Sequence, residues 1–336
     1  MAKRARNGLN AMAENRTIWA AWSRVAAGSN APGVDGVTTE RFASRLDHHL
    51  ENLRSHLRAG TYQPQPLRPM TVKRNGKLRP LGLPTVRDRV VQRCFLEVFD
   101  RELDATNAEI CFAYRRGRSW LDALAKVERY RELGLRWVFR GDITNFFEEI
   151  QHPQLEERLL AALPRDRPCI DLAMRWIAAP LLSDNGLQPR TKGVPQGAPV
   201  SPALANLYLT AFDRAIQDRR GGVVRYADDM VVCCADPDAA ESARFDIEQA
   251  LRPLGLTMNT AKSYVSSFDV GFSFLGWVFF RDDGFEEGPH DGWVHPMSVA
   301  RARAQQPGQP SPNVLGPGNR PAARSKGRRP GQGRPR

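Results

Sequence analysis

The sequence predicts an α+β fold, in which an antiparallel sheet packs on helices and a basic C-terminal segment stays outside it. Three observations predict this. The run Val223-Val224-Arg225-Tyr226-Ala227-Asp228-Asp229-Met230-Val231-Val232 follows Gly221-Gly222. It reads as a β-hairpin with two carboxylates at its tip. Trp137-Val138-Phe139-Arg140-Gly141-Asp142-Ile143 reads as another strand that ends in an acid. Between such runs stand stretches with helical apolar spacing, such as Phe42, Leu46, Leu50, Leu53 and Leu57.

In chain order, Asn15 to Ala27 is expected as a short helix with Ile18, Trp19, Trp22 and Val25 on one side. Residues 31–37 form a turn-rich loop. Thr38-Thr39-Glu40 then opens one amphipathic helix through Leu57, stopped by Gly60. Asn75-Gly76 between Met70–Lys73 and Lys77–Pro80 is a hairpin signal that brings Lys73 and Arg79 together. Val86 to Leu103 is helical, and Ser119 caps a helix through Leu133. Helices are expected at Pro153–Leu163 and Cys169–Ala178, with a turn at Ser183–Gly186. Ser201 before Pro202 reads as an N-cap of a helix through Phe212. Pro237 to Leu254 is a further amphipathic helix, and Gly271 to Phe280 a strand pair turning within Phe274-Leu275-Gly276-Trp277.

The 336 residues suffice for one large domain or two small ones, and 41% are hydrophobic, as in ordinary soluble proteins. No apolar run approaches the roughly 20 residues of a membrane span. Met1-Ala2-Lys3-Arg4-Ala5-Arg6 is basic without an apolar core, so no signal peptide is expected. Cysteines 94, 111, 169, 233 and 234 lack metal-binding spacing and fit reduced thiols in a cytoplasmic protein. Net charge is +12, but residues 301–336 hold nine Lys/Arg and no Asp/Glu. The remainder carries 40 basic against 37 acidic groups. The charge suggests a polyanionic partner, and it speaks mainly for the tail.

Aspartate is common at hairpin tips, so Asp228-Asp229 alone specifies only a turn. Carboxylates beside buried strands are costly unless a cation offsets them. Mg²⁺ takes one or two carboxylates and leaves its other positions to water and phosphate. Asp142 and Asp228 are 86 positions apart, so only a shared sheet can unite them at a two-metal site for phosphoryl transfer.

Tyr226-Ala227-Asp228-Asp229 resembles the catalytic box of reverse transcriptases, and in particular their group II intron-like bacterial branch. Gly193-Val194-Pro195-Gln196-Gly197-Ala198-Pro199 resembles the loop under the template–nucleotide pair. Phe274-Leu275-Gly276-Trp277 resembles the primer grip, and Leu254 to Ser263 the box between. Cys111 to Ser119 is similar to the Gly-Phe-Arg-Pro-Gly-Arg-Ser box, with Ala113-Tyr114 for Gly-Phe and Arg116 for Pro.

The resemblance implies a right-hand polymerase made of fingers and palm. It places an N-terminal helical extension at 1–30, fingers at 31–135, and a palm at 136–288 whose loop 180–200 contacts the fingers. Residues 289–336 would hold only the start of a thumb, near Pro296, and a disordered basic tail. The implied reaction adds deoxynucleotides to a DNA primer on an RNA template, with two Mg²⁺ ions or Mn²⁺ as substitute. Asp142, Asp228 and Asp229 would hold metal, helped by the Ile143 carbonyl, and Lys262 would serve the leaving pyrophosphate. Lys73, Arg79, Phe147, Gln196 and Gly197 would bind the nucleotide, with Phe147 under the sugar. Arg115, Arg118, Tyr226, Phe274, Leu275, Gly276 and Trp277 would meet template and primer. A structured RNA or a partner protein would replace the thumb, and no membrane is involved.

Two other readings would leave different marks in the sequence. A non-catalytic RNA-binding relative, serving splicing, maturation or defence assembly, would be marked by a lost carboxylate. A nucleotide cyclase would carry a Gly-Gly-Asp/Glu-Glu-Phe hairpin. This chain keeps all three carboxylates and carries Tyr226-Ala227-Asp228-Asp229 instead.

Overall fold

The computed structural model describes residues 7–74 and 77–286, with the backbone alone at 74, 77–80 and 285–286. The expected thumb start and basic tail lie outside the described residues. Four helices come first: α1 (Gly8–Met12), α2 (Asn15–Ala26), α3 (Thr39–Ala43) and α4 (Leu46–Ala59). A hairpin of β1 (Arg68–Arg74) and β2 (Lys77–Leu83) leads to α5 (Val86–Asp104) and α6 (Trp120–Glu132). Then follow β3 (Trp137–Asp142), α7 (Phe146–Glu149), α8 (His152–Ala162) and α9 (Arg167–Ile177). A small hairpin of β4 (Leu181–Ser183) and β5 (Gly186–Gln188) precedes α10 (Ser201–Arg219). The chain continues through β6 (Val223–Tyr226), β7 (Asp229–Cys234), α11 (Pro237–Leu251) and β8 (Tyr264–Ser267). It closes with β9 (Phe272–Phe274), β10 (Trp277–Phe280) and β11 (Asp283–Glu286).

The central sheet has the order β6-β7-β3-β8, and every neighbouring pair is antiparallel. Side chains alternate between its faces, and each face has its own core. Phe139, Val223, Met230, Val232 and Cys234 join Phe212 of α10 and Ile247 and Leu251 of α11. The intervening Val138, Val224, Val231 and Cys233 join Leu124 and Val127 of α6, together with Phe272, Phe274, Trp277 and Phe279 of the last sheet. The sheet is therefore buried on both sides, which explains why its strands are near-continuous apolar runs.

Three sequence expectations need correction. The helix expected from Thr39 through Leu57 is broken at Ser44-Arg45, where Arg45 has φ −134° and ψ 41°. In an unbroken helix Phe42 and His49 would stand about 10 Å apart along the axis. The break lets Phe42 stack on both Trp22 and His49, at ring distances of 5.2 and 4.4 Å. Ser201 is the first helical residue and does not cap α10. Its hydroxyl donates to the Pro195 carbonyl at 2.8 Å, so it ties the preceding loop to the helix. The helix after the Asp-Asp hairpin ends at Leu251, and a 3-10 turn over Arg252–Leu254 completes it before Gly255. Among the described residues no helix is long and apolar enough to cross a membrane.

Gly222 shows how tightly the β6–β7 hairpin closes. The Cys233 amide donates to the Gly222 carbonyl at 2.8 Å, and a Cβ on Gly222 would collide with the Cys233 carbonyl oxygen. A Cβ on Gly221 would meet nothing within 4 Å. Gly222→Ala is expected to lower stability by about 1–3 kcal/mol through overpacking, and Gly221→Ala to stay within about 0.5 kcal/mol of the parent. Urea unfolding of both variants checks this; equal midpoints would show that the hairpin has room to spare.

Candidate active site

Register brings the acids together. Antiparallel pairing of β3 with β7 sets Asp142 opposite Asp229, and the Ile143 amide donates to the Asp228 carbonyl at 3.0 Å. Asp228 sits in the turn between β6 and β7, preceded by Ala227 at φ 61°. Residues 257–263 lace onto the end of β3 from the other side. The Thr144 amide donates to the Thr257 carbonyl at 2.9 Å and the Asn259 amide to the Asp142 carbonyl at 2.8 Å. The Asp142 amide donates to the Ser263 hydroxyl at 3.2 Å.

This lacing delivers Lys262. Its Nζ lies 2.8 Å from both carboxylate oxygens of Asp142. The Asp142 side chain is 8% exposed, while that of Lys262 is half exposed. Arg140, one diagonal step along the same face of β3, donates from Nη2 to Oδ2 of Asp229 at 3.0 Å. Its Nε donates to the Ser273 carbonyl at 2.7 Å. Burial pushes the Asp229 carboxyl up to about 7; Arg140 opposes the rise, and the neighbouring Asp228 and Asp142 add to it. Oδ1 of Asp229 is buried and accepts no hydrogen bond.

An acceptor oxygen without a donor, beside two further carboxylates, is the environment a cation relieves. Among the described residues no three His, Cys, Asp or Glu side chains form a ready-made metal cage. A hard divalent ion takes one or two carboxylates and completes its shell with water and phosphate, which is the chemistry these acids offer. The concavities lined by Gln154, Arg158 and Phe212 (about 410 Å³) and by Ile110, Arg118 and Lys126 (about 340 Å³) include none of these acids.

Several of the other expected residues are tied to one another through the loop of residues 193–197. Phe147 is half-buried, with its ring edge-on to the buried Phe146 at 5.6 Å. Its carbonyl accepts from the Val194 amide at 2.7 Å, which locks the 193–197 loop beside it. Gly193 is required there: its φ is 78°, and a Cβ would press on the Glu148 backbone at 2.8 Å. Gln196 donates to Glu148 at 2.8 Å, and its carbonyl accepts from the Gly82 amide at 3.0 Å, so the loop touches β2. Gly197 takes φ 107°. Lys73 is exposed on β1. The register sets Arg79 opposite Val72 and Leu78 opposite Lys73, so the two cations occupy adjacent rungs rather than facing positions. The Arg79 side chain lies outside the described residues.

Other residues are placed differently from expectation. Arg115 is committed within the chain: it pairs with Asp104 at 2.7 Å and donates to the Ala108 and Cys111 carbonyls. Arg118 donates to the Glu109 and Cys111 carbonyls and pairs with Glu109 at 2.5 Å. Both guanidiniums brace the 104–111 loop. Phe274 and Trp277 are buried in the second core. Only Leu275 and Gly276, at φ 56° and 77°, form a partly exposed turn. Tyr226 is half-buried and pairs with Asp229.

Sequence reasoning missed two arginines. Arg140 was read only as part of a strand, and Arg225, fully buried under the Ala227-Asp228 turn, was passed over. The available signal was a cation inside each apolar strand run, since an unpaired buried charge is not tolerated.

The family model described as "Reverse transcriptase (RNA-dependent DNA polymerase)" matches residues 71–279. Protein YkfC of Escherichia coli strain K12 is 30% identical over 294 residues, covering 76% of this chain and 77% of that protein. The group II intron-encoded protein LtrA of Lactococcus lactis subsp. cremoris is 29% identical over 191 residues, covering 56% of this chain and 31% of that protein. The chain thus spans most of one relative's length and about a third of the other's. A telomerase from Candida albicans, solved with a fragment of telomeric RNA, superposes with a TM-score of 0.54 at 13% identity. That superposition covers 76% of this chain and 50% of the telomerase and speaks for the fold alone.

Lys262→Met leaves the Asp142 carboxylate buried without its cation. Without divalent ions the variant is expected to lose about 1–3 kcal/mol, the cost of a charged hydrogen bond to a buried acceptor. Urea unfolding in chelator checks it. An unchanged midpoint would show that the ion pair adds nothing to the metal-free protein.

Proposed function

The chain belongs to the reverse transcriptase family, and from that membership we propose that it adds deoxynucleotides to a primer 3′-hydroxyl under the direction of an RNA template. The observation that carries the reading is the register that sets Asp142 opposite Asp229 and bonds the Ile143 amide to the Asp228 carbonyl, with Asp229 presenting an oxygen that accepts no hydrogen bond. Asp142 and Asp228, with Asp229 beside them and the Ile143 carbonyl at hand, are the groups that would hold Mg²⁺, or Mn²⁺ in its place. When bound, such ions lower the pKa of a hydroxyl and neutralise phosphate charge in an in-line displacement.

The other roles fall to the chain's own side chains. Lys262 is half exposed and sits on a turn, so its ammonium can reach from Asp142 towards the departing pyrophosphate and supply charge or a proton there. Lys73, exposed on the β1–β2 hairpin, carries a cation that meets the triphosphate, while Arg79 stands on the neighbouring rung, where the pleat turns successive positions to opposite faces. The ring of Phe147 forms the floor under the sugar, where a 2′-hydroxyl would be crowded. Gln196 and Gly197 support the nascent base pair through a loop whose backbone bonds to both α7 and β2. Template and primer run past the Leu275-Gly276 turn. An RNA–DNA hybrid is held by backbone and groove shape, which needs no base-reading motif.

Primer extension tests the reading. The purified protein, a DNA primer on an RNA template, Mg²⁺ and deoxynucleotides should give elongated product. Asp228→Asn and Asp142→Asn should each cut the rate by about a hundredfold or more, since the loss of one charge-stabilising group already costs about that much in other enzymes. Asp228→Asn activity near that of the parent would remove the carboxylates from the reaction. An inactive parent that still binds RNA would favour the non-catalytic alternative.

A further inference from the structure

Beneath the Ala227-Asp228 turn lies a charge pair that phosphoryl transfer does not by itself require. Arg225 and Asp213 are both completely buried. The Arg225 Nε and Nη2 donate to the two oxygens of Asp213 at 2.6 Å each, a bidentate fork. Burial pulls the guanidinium down, but Asp213, together with Cys111, more than reverses it, so Arg225 stays charged. The remaining nitrogen, Nη1, donates to the Ala227 carbonyl at 2.9 Å and to Oδ1 of Asn206 at 3.3 Å. Asn206 donates in turn to the Ala113 carbonyl at 2.8 Å. The backbone of Arg225 is fixed as well: its amide donates to the Ile110 carbonyl at 2.8 Å, and its carbonyl accepts from Phe112 at 2.9 Å. Asp213 and Asn206 both belong to α10, so this helix anchors the guanidinium.

A buried ion pair is a poor source of stability, because desolvation offsets the attraction and apolar side chains of like volume do as well. An apolar pair cannot, however, hold a carbonyl. The one held here belongs to Ala227, whose φ of 61° lies in the left-handed region. That region is unfavourable for alanine, because its Cβ crowds the following carbonyl oxygen; glycine enters it freely. Ala227 immediately precedes Asp228, so its torsions aim that residue.

We propose that Arg225, locked by Asp213 and Asn206, is a positioning residue that holds Ala227 in its left-handed conformation and thereby fixes the direction of Asp228. The consequence for catalysis rests on the polymerase reading above; the conformational role does not. Lysine cannot substitute, since a single ammonium cannot grip both carboxylate oxygens and a carbonyl in the fixed planar geometry of the fork.

A double-mutant cycle on the full chain tests this, using Arg225→Lys, Ala227→Gly and the two together. Three quantities are read: kcat for a single nucleotide addition, Kd for primer–template, and the rise in Tm caused by Mn²⁺. Arg225→Lys is expected to lower kcat by about tenfold or more, because a misaimed catalytic group costs orders of magnitude, while Kd for primer–template changes less than about twofold. The loss should shrink by about fivefold when Ala227→Gly is already present, since glycine populates the left-handed region without strain and has less to gain from the hold. The Mn²⁺-induced rise in Tm should follow the same pattern. Strictly additive effects, or equal losses in kcat and in primer–template binding, would overturn the proposal and leave Arg225 a packing residue. Should Arg225→Lys fail to fold, Asp213→Asn loosens the same fork and must show the same coupling to Ala227→Gly. A parent protein that extends no primer would refute the polymerase reading, and the coupling would still be decided by the Mn²⁺-induced Tm.

Discussion

The antiparallel pairing of β3 with β7 is the constraint on which the rest of the molecule depends. It sets Asp142 directly opposite Asp229 and lets the Ile143 amide bond to the Asp228 carbonyl. A slip of one residue would turn the acids of one strand to the other face. The slip is prevented by the two cores. Val138 and Phe139 belong to different clusters, as do Val231 and Val232. Apolar packing on both faces therefore fixes the register, and the register assembles the site.

Assembling three carboxylates at one sheet edge carries an electrostatic cost, and the chain offsets it with two cations. Lys262 spans both oxygens of Asp142, and Arg140 takes one oxygen of Asp229. The compensation is incomplete: burial and its acidic neighbours still push Asp229 up to about 7, and its Oδ1 accepts no hydrogen bond. Stored electrostatic strain of this kind is common where a protein awaits a charged ligand. The two cations also differ in anchoring. Arg140 is bound to the Ser273 and Lys262 carbonyls as well as to Asp229, whereas Lys262 holds Asp142 with a half-exposed side chain that can let go.

Much of this was legible in the sequence, for definable reasons. The apolar, β-branched and aromatic runs that end in acids at Asp142 and at Ala227-Asp228-Asp229 report local strand and turn propensity, so the hairpin and its acids are legible. Ser119 capping α6 and the pairing of β1 with β2 followed from equally local chemistry. What escaped depended on tertiary partners. The break at Ser44-Arg45 exists because Phe42 packs on both Trp22 and His49. Arg115 and Arg118 looked like phosphate ligands, but the loop folds back and supplies Asp104, Glu109 and carbonyls first. Phe274 and Trp277, expected at the primer, are buried in the second core, which the motif alone does not announce. Arg225 carried the strongest unread signal: a lone cation in a buried strand announces a partner without saying where it lies.

The idea that Asp142 and Asp228 act as one divalent-ion site, although 86 residues apart, is tested most directly by Mn²⁺ binding. Electron paramagnetic resonance titration in the presence of a deoxynucleoside triphosphate measures it without requiring turnover, in the parent, Asp142→Asn, Asp228→Asn and the double variant. Each single substitution is expected to weaken binding by about tenfold or more, and the double variant to lose little beyond either single, because both carboxylates serve the same ions. Mn²⁺ affinity in the double variant equal to that of the parent would contradict the site.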